Sequence, residues 1–151
     1  MARRRDEDLP GRRAAGAYNH GMSSSYLRGD DLTAPLTIHA DREARTLRIG
    51  WADGHASVFD FERFRWLCPC AYCRGEAGLP GWLDTNPTLT AEQTRLVSIE
   101  PVGGYAVAPT WGDGHHTGFY TFTGLRAHCP CPACSAVRAA AHHADNPGGP
   151  R

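Results

Sequence analysis

All six cysteines of the chain stand in two clusters of identical spacing, Cys68-Pro69-Cys70-Ala71-Tyr72-Cys73 and Cys129-Pro130-Cys131-Pro132-Ala133-Cys134. A Trp-x-Asp-Gly-His motif precedes each. Trp51-Ala52-Asp53-Gly54-His55 ends thirteen residues before Cys68, and Trp111-Gly112-Asp113-Gly114-His115 ends fourteen before Cys129. Thiolates are soft ligands, and zinc takes four of them, or three with an imidazole, in a tetrahedron. Each C-x-C-x-x-C run offers three thiolates from one short loop, and the proline stiffens the first pair by fixing φ. Three thiolates leave one position for an imidazole, or for water as in a catalytic centre. Two like-built metal sites are the chemistry expected of this chain.

Spacing alone leaves the fourth ligand open. For the first cluster the candidates are His55, nearest in the chain, His115, its counterpart in the other half, and His116 beside it. For the second they are His55, His128, His142 and His143; His20 and His39 are read as chemically idle. Disulfides are a poor use of these thiols. Their Cβ atoms must approach to about 4 Å with suitable torsions, which residues two or three apart do not achieve without strain. No apolar stretch follows the N-terminal arginines to act as a secretion signal. A reducing cytoplasm is therefore the expected location.

Formal charge is zero, from 16 acidic and 16 basic residues, and every basic residue is arginine. Nucleic-acid binding calls for a net basic face. The one dense basic run, Arg3 to Arg5 with Arg12 and Arg13, is interrupted by Asp6, Glu7 and Asp8, so no nucleic-acid partner is expected. No apolar run approaches the roughly 18 residues of a membrane helix. At 151 residues the chain is one domain, or a core of roughly 100 residues with loose ends.

The elements that must position the clusters read as follows. Residues 1–33 are polar and glycine-rich without a hydrophobic period, which predicts a disordered or loosely held arm. Residues 34–135 form the metal-binding domain, and 136–151 a short helix with a frayed tail. Leu36 and Ile38 alternate with Thr37 and His39, and Asp41-Arg42-Glu43 turns the chain. Leu47, Ile49 and Trp51 alternate with Thr46, Arg48 and Gly50, the period of a half-buried strand. Asp53-Gly54 signals a type I′ turn, and Ser57 to Phe61 returns as the second arm of a hairpin. Phe61, Phe64, Trp66 and Leu67 form a helical turn leading into Cys68.

Residues 74–90 read as an irregular loop. Leu96 to Val102 is a third strand region, with a reversal at Gly103-Gly104, and Tyr105 to Trp111 runs to the second Asp-Gly turn. Pro109 marks an edge or a bulge there. Phe119, Tyr120 and Phe122 return, Thr123 to Arg126 opens a short helix, and Ser135 to Ala144 forms another. The predicted fold is α+β: a small mixed sheet of paired hairpins with short helices, in two pseudo-symmetric halves, stabilised by zinc. Trp82, Tyr105, Trp111 and Phe122 suit either the core or a partner-facing surface, and the core is the commoner place for such side chains.

Several stretches together carry a resemblance. They are Leu47-x-Ile49-x-Trp51-x-Asp53-Gly54, Trp66-Leu67-Cys68-Pro69-Cys70-Ala71-x-Cys73-Arg74, Val102-Gly103-Gly104-Tyr105-Ala106-Val107, Trp111-x-Asp113-Gly114-His115-x-x-Gly118-x-Tyr120, and Leu125-Arg126. From about Leu36 to Leu125 this series resembles the gamma-butyrobetaine hydroxylase-like N-terminal domain, also called DUF971. In hydroxylases of that family the domain holds structural zinc by one such triplet and the histidine of the later Asp-x-His element. The resemblance thus implies zinc on Cys68, Cys70, Cys73 and His115. The family commonly has Trp-Leu-Arg before its cysteines, whereas here Cys68 follows Leu67 directly, and the second triplet exceeds the usual single site. If an approximate two-fold relates the halves, symmetry then assigns His55 to Cys129, Cys131 and Cys134, for two zinc ions per chain. The oxygenase domain of the full-length hydroxylases needs far more chain than remains, so their reaction is not expected here. The family also stands beside or fused to P-loop ATPases of iron–sulfur assembly, which implies such an ATPase, or an oxygenase, as partner.

Three functions follow in order. The first is a non-catalytic zinc module serving as a protein-interaction or accessory domain. The second is an accessory protein for metal or iron–sulfur cluster handling and assembly, its triplets passing a soft metal or a cluster onward. The third is a small zinc hydrolase, which needs an open coordination position and a general base such as Asp53, Asp113 or Glu100. The Asp-Gly turns already account for the two aspartates, so no catalytic residue is assigned.

Overall fold

The computed structural model describes residues 34–145, so the arm read for 1–33 and the end of the tail lie outside the described residues. Strands β1 (Pro35–Asp41), β2 (Thr46–Trp51) and β3 (Ala56–Asp60) pair antiparallel in the order β1-β2-β3. The alternation read in β2 is realised, with Leu47, Ile49 and Trp51 buried and Arg48 exposed. Helix α1 (Phe61–Trp66) starts where the Asp60 side chain accepts a hydrogen bond from the Arg63 amide at 2.7 Å. That is an N-cap, satisfying an amide the helix cannot. Then come α2 (Ala71–Arg74), the short strands β4 (Gly75–Glu76) and β5 (Leu79–Pro80), and a 3-10 turn at Leu83–Thr85.

The second half repeats the plan. Strands β6 (Leu96–Val102), β7 (Ala106–Trp111) and β8 (Tyr120–Thr121) pair antiparallel in the order β6-β7-β8. Helix α3 (Phe122–Ala127) is capped by the Thr121 hydroxyl, which accepts from the Gly124 amide at 3.1 Å. The caps Asp60 and Thr121 stand sixty-one residues apart. Even the register irregularity recurs, between Pro35 and Thr37 in β1 and between Leu96 and Ser98 in β6. Helix α4 (Pro132–Asp145) opens on a proline, whose missing amide costs nothing in a first turn. It starts three residues earlier than the sequence suggested and so takes in Cys134.

The α+β class, the paired hairpins and the short helices are as expected. The single mixed sheet is corrected to two three-stranded sheets and a two-stranded ribbon, every pair antiparallel. Each link between neighbouring strands is a short local reversal, and a parallel pair would need a long crossover. The turn at Asp53-Gly54 is corrected too. Type I′ needs positive φ at both central residues, yet only Gly54 has it, at 83°. The Gly54 amide donates to the Trp51 carbonyl at 3.0 Å, the three-residue loop of a type I turn followed by a left-handed glycine. A hairpin with positive φ at both central residues does occur, at Ala77-Gly78 between β4 and β5, inside the stretch read as an irregular loop. Pro109 lies in the central strand β7, but β8 pairs only with Ala106 and Val107, so Pro109 is bordered by β6 alone.

One core serves both halves. Leu47, Ile49, Trp51, Phe59, Phe61 and Phe64 pack with Leu96, Ile99, Val107, Trp111, Tyr120 and Leu125 in a single buried cluster. Phe64 is its hinge point, with ring centroids 6.5 Å from Phe59, 5.6 Å from Trp111 and 4.4 Å from Tyr120. Trp111 and Phe122 are core residues as read, Trp82 packs against the core half-buried, and Tyr105 is exposed. Phe64→Ala is expected to cost about 3–5 kcal/mol. Because the ring touches both halves, denaturant unfolding followed by tryptophan fluorescence and by far-UV circular dichroism should shift together. Divergence of the two curves would show the halves to be independent.

Candidate metal centres

Each histidine is placed by its hairpin turn. In the first, the Trp51 amide donates to the His55 carbonyl at 2.8 Å, and Asp53 Oδ1 accepts from the His55 amide at 2.8 Å. In the second, the Trp111 amide donates to the His115 carbonyl at 2.9 Å, and Asp113 Oδ1 accepts from the His115 amide at 3.2 Å. The remaining oxygen of each aspartate reaches across to the other half. Arg126 Nη2 donates to Asp53 Oδ2 at 2.9 Å, and Arg65 Nη2 to Asp113 Oδ2 at 3.1 Å. Arg65 and Arg126 each stand in a helix three residues before the first cysteine of a cluster. Each ion pair therefore sets a hairpin tip over the opposite cluster.

The result is a crossed arrangement. His115 Nε2 lies 3.3 Å from Cys68 Sγ, 3.5 Å from Cys70 Sγ and 3.6 Å from Cys73 Sγ, and the Cys68 and Cys70 sulfurs are 3.6 Å apart. His55 Nε2 lies 3.1 Å from Cys129 Sγ and 3.7 Å from both Cys131 Sγ and Cys134 Sγ. Within each group the four donor atoms all fall within 4.8 Å of one another. Zn–S bonds of about 2.3 Å and Zn–N bonds of about 2.0 Å in a tetrahedron imply edges of about 3.5 Å for S···N and about 3.8 Å for S···S. The donor sets match those edges, so both groups could hold a four-coordinate metal ion.

The competing histidines go elsewhere. The His116 ring meets the Gly114 carbonyl at 2.9 Å, and the His128 ring meets the Gly124 carbonyl at 2.8 Å. His142 is exposed on α4, and His39 is exposed on β1. His20 and the side chain of His143 lie outside the described residues.

Burial pushes the Cys68 and Cys73 thiols above their ordinary range. At Cys70 burial acts the same way but is outweighed by hydrogen bonds from the Thr117 hydroxyl and the Cys73 amide, which leave that thiol below it. Burial, then the Arg65 guanidinium, lowers His115, favouring the neutral imidazole that ligation requires. In the second group the Cys134 amide, 3.4 Å from Cys131 Sγ, heads the causes that lower Cys131. Arg126 acts to lower Cys134, but Cys131, burial and Cys129 together raise it.

A divalent ion held by three thiolates carries one net negative charge, and each group has a guanidinium to offset it. Arg126 Nη1 lies 3.4 Å from Cys134 Sγ. Arg65 is 1% exposed, stacked 5.9 Å from the Trp82 ring and 5.6 Å from the Trp111 ring. Neither arginine was given a site role from sequence, although their equal offset from the cysteines was a usable signal. Gly118 was missed as a site residue for another reason. A Cβ there would come 2.7 Å from Cys68 Sγ, so only glycine lets the backbone lie against that sulfur.

Fold and site together define a two-half α+β module with two Cys3His groups able to hold metal. The chain belongs to the family described as gamma-butyrobetaine hydroxylase-like, N-terminal, which matches residues 38–126. Among solved structures, a protein of unknown function from the DUF971 family of Acidithiobacillus ferrooxidans is 36% identical. That alignment covers 64% of this chain and 93% of that one, with a TM-score of 0.48. A protein solved in solution by NMR shares the fold at 22% identity and a TM-score of 0.51, over 82% of this chain and 89% of that one. No curated protein matches the chain.

Residues that orient metal ligands typically contribute about 10–100-fold to affinity. Asp113→Ala is accordingly expected to weaken metal binding at the Cys68 group by that factor and leave the Cys129 group unchanged, with Asp53→Ala doing the reverse. Competition titration against a chelator of known affinity measures both, and equal affinities in the two variants and the parent would show the aspartates to be idle.

Proposed function

We propose that the chain is a non-catalytic zinc module that presents its surface to a protein partner in a reducing cytoplasm. One zinc ion is assigned to Cys68, Cys70, Cys73 and His115, the other to Cys129, Cys131, Cys134 and His55. The observation that carries this reading is the crossing: each imidazole lies beside the thiols of the opposite half. Metal bound this way closes chain loops of several tens of residues and contributes directly to folding free energy. Three thiolates with one imidazole suit zinc, and a closed tetrahedron is the mark of a structural centre.

Hydrolysis fits poorly. It needs an open coordination position, and each group supplies a full set of four donors. Asp53 and Asp113 are held by their turns and arginines, while Glu100 is exposed on β6. Handling of a soft metal or an iron–sulfur cluster is the second reading, favoured by the partial exposure of Cys131 and Cys134. The proposed partner is a P-loop ATPase of iron–sulfur assembly or an oxygenase, as the family resemblance implies. Among the described residues no helix is long and apolar enough to cross a membrane.

Elemental analysis of protein purified without added metal should give two zinc ions per chain, one for each group. Cys70→Ser and His55→Ala should each hold one. His128→Ala and the His142→Ala/His143→Ala double variant should keep both. Loss of an ion in either of the latter, with His55→Ala still holding two, refutes crossed ligation. Iron with visible absorption favours the second reading.

A further inference from the structure

The two groups are alike in their donors and unlike in their cover. Cys68 and Cys129 are both fully buried, and Cys70 and Cys131 are both partly exposed. The third cysteine breaks the match, since Cys73 is fully buried whereas Cys134 is partly exposed.

The chain after each cluster explains the difference. Beyond Cys73 it doubles back through the β4–β5 hairpin, and the Gly81 backbone presses so closely on the Cys73 carbonyl that a Cβ there would collide with it. The Trp82 amide donates to the Tyr72 carbonyl at 2.8 Å, and the two rings stack with centroids 6.1 Å apart. Leu83 follows into the core cluster that also holds Cys73. Residues 75–83 thus form a strap over the first group. Beyond Cys134 the chain continues as α4, on which Ala136, Val137 and Ala139 to His142 are exposed, and no strap returns among the described residues.

We propose that the second group is an exchangeable metal site, from which zinc passes to and from a thiol-bearing partner while the first group stays filled. This rests on the reading that both groups hold zinc. Exchange is a ligand substitution without electron transfer. Incoming thiolates displace Cys134 first, then the other ligands, and each freed thiolate either takes a proton from water or stays ionised. Arg126, with Nη1 3.4 Å from Cys134 Sγ and Nη2 on Asp53, is placed to hold the first freed thiolate at the surface. The halves do not part when the second group empties, because the first crossing and the shared core still join them.

The test uses the zinc-loaded full chain with an excess of a chromophoric chelator, following zinc release while cysteines are pulse-alkylated and located by mass spectrometry. Release is expected in two resolved steps of one ion each. Cys131 and Cys134 should be alkylated with the fast step, and Cys68, Cys70 and Cys73 only with the slow one. Cys134→Ser should lack the fast step and keep the slow one. Two ions leaving together, or Cys73 alkylated before Cys134, overturns the proposal while leaving the two-zinc reading intact. Protein that carries one zinc ion or none overturns both.

Discussion

Everything in this molecule depends on where two hairpin tips land, and a single carboxylate governs each landing. Asp53 and Asp113 use one oxygen to fix the backbone of the histidine two residues on, and the other to hold an arginine of the opposite half. That arginine shares a helix turn with the approach to a cysteine cluster, so the spacing from carboxylate to thiol is set by two stiff units. Burying Arg65 is costly in desolvation. Two indole faces offset part of that cost, and Asp113 pairs with one edge of the guanidinium. Such a contact, once formed, leaves the imidazole little freedom to be anywhere but beside the sulfurs.

The crossing also ties the two halves to each other among the described residues. A hairpin alone is marginal in water and needs a further strand with an apolar face, or a packed helix, to be stable, and here each three-stranded sheet gives its apolar face to the same core. Phe64, Phe61 and Tyr120 interleave rings from both halves, with Phe61 edge-on to Trp111 at 6.4 Å and 83°. Arg45 adds a further tie by donating to the Thr94 hydroxyl at 2.7 Å. Apolar burial and the Cys3His groups therefore act on the same interface, each holding in place what the other requires.

Within that shared plan the halves have diverged. Trp51 Nε1 donates to Ser57 Oγ at 2.9 Å, whereas Trp111 Nε1 is buried without a partner and Gly118 stands where the repeat puts a serine. The small residue lets the backbone close on Cys68. The family match, residues 38–126, takes in both histidines and the first triplet but ends before Cys129. The more enclosed group is the one inside the family's span, and the less enclosed one lies partly beyond it.

The local features were legible in the sequence by itself. Thiol spacing announces soft-metal chemistry, period-two alternation announces β2, and a repeated motif announces two halves, because each of these depends on residues close together in the chain. The crossed placement of His55 and His115 came from symmetry and a family resemblance, since spacing alone allowed several histidines. Only the tertiary structure decided the rest. Asp-Gly suits more than one turn, and the choice fell to the type that frees the aspartate for the histidine amide. Strand patterns do not say which strands are neighbours, so two sheets looked like one. Arg65 and Arg126 resembled any solvated arginines until a partner half supplied their aspartates. The glycine- and proline-rich segment after Cys73 has no period to read, so its hairpin at Ala77-Gly78, and the return of Gly81 and Trp82 onto Cys73 and Tyr72 that makes it a cover, emerged only with the fold.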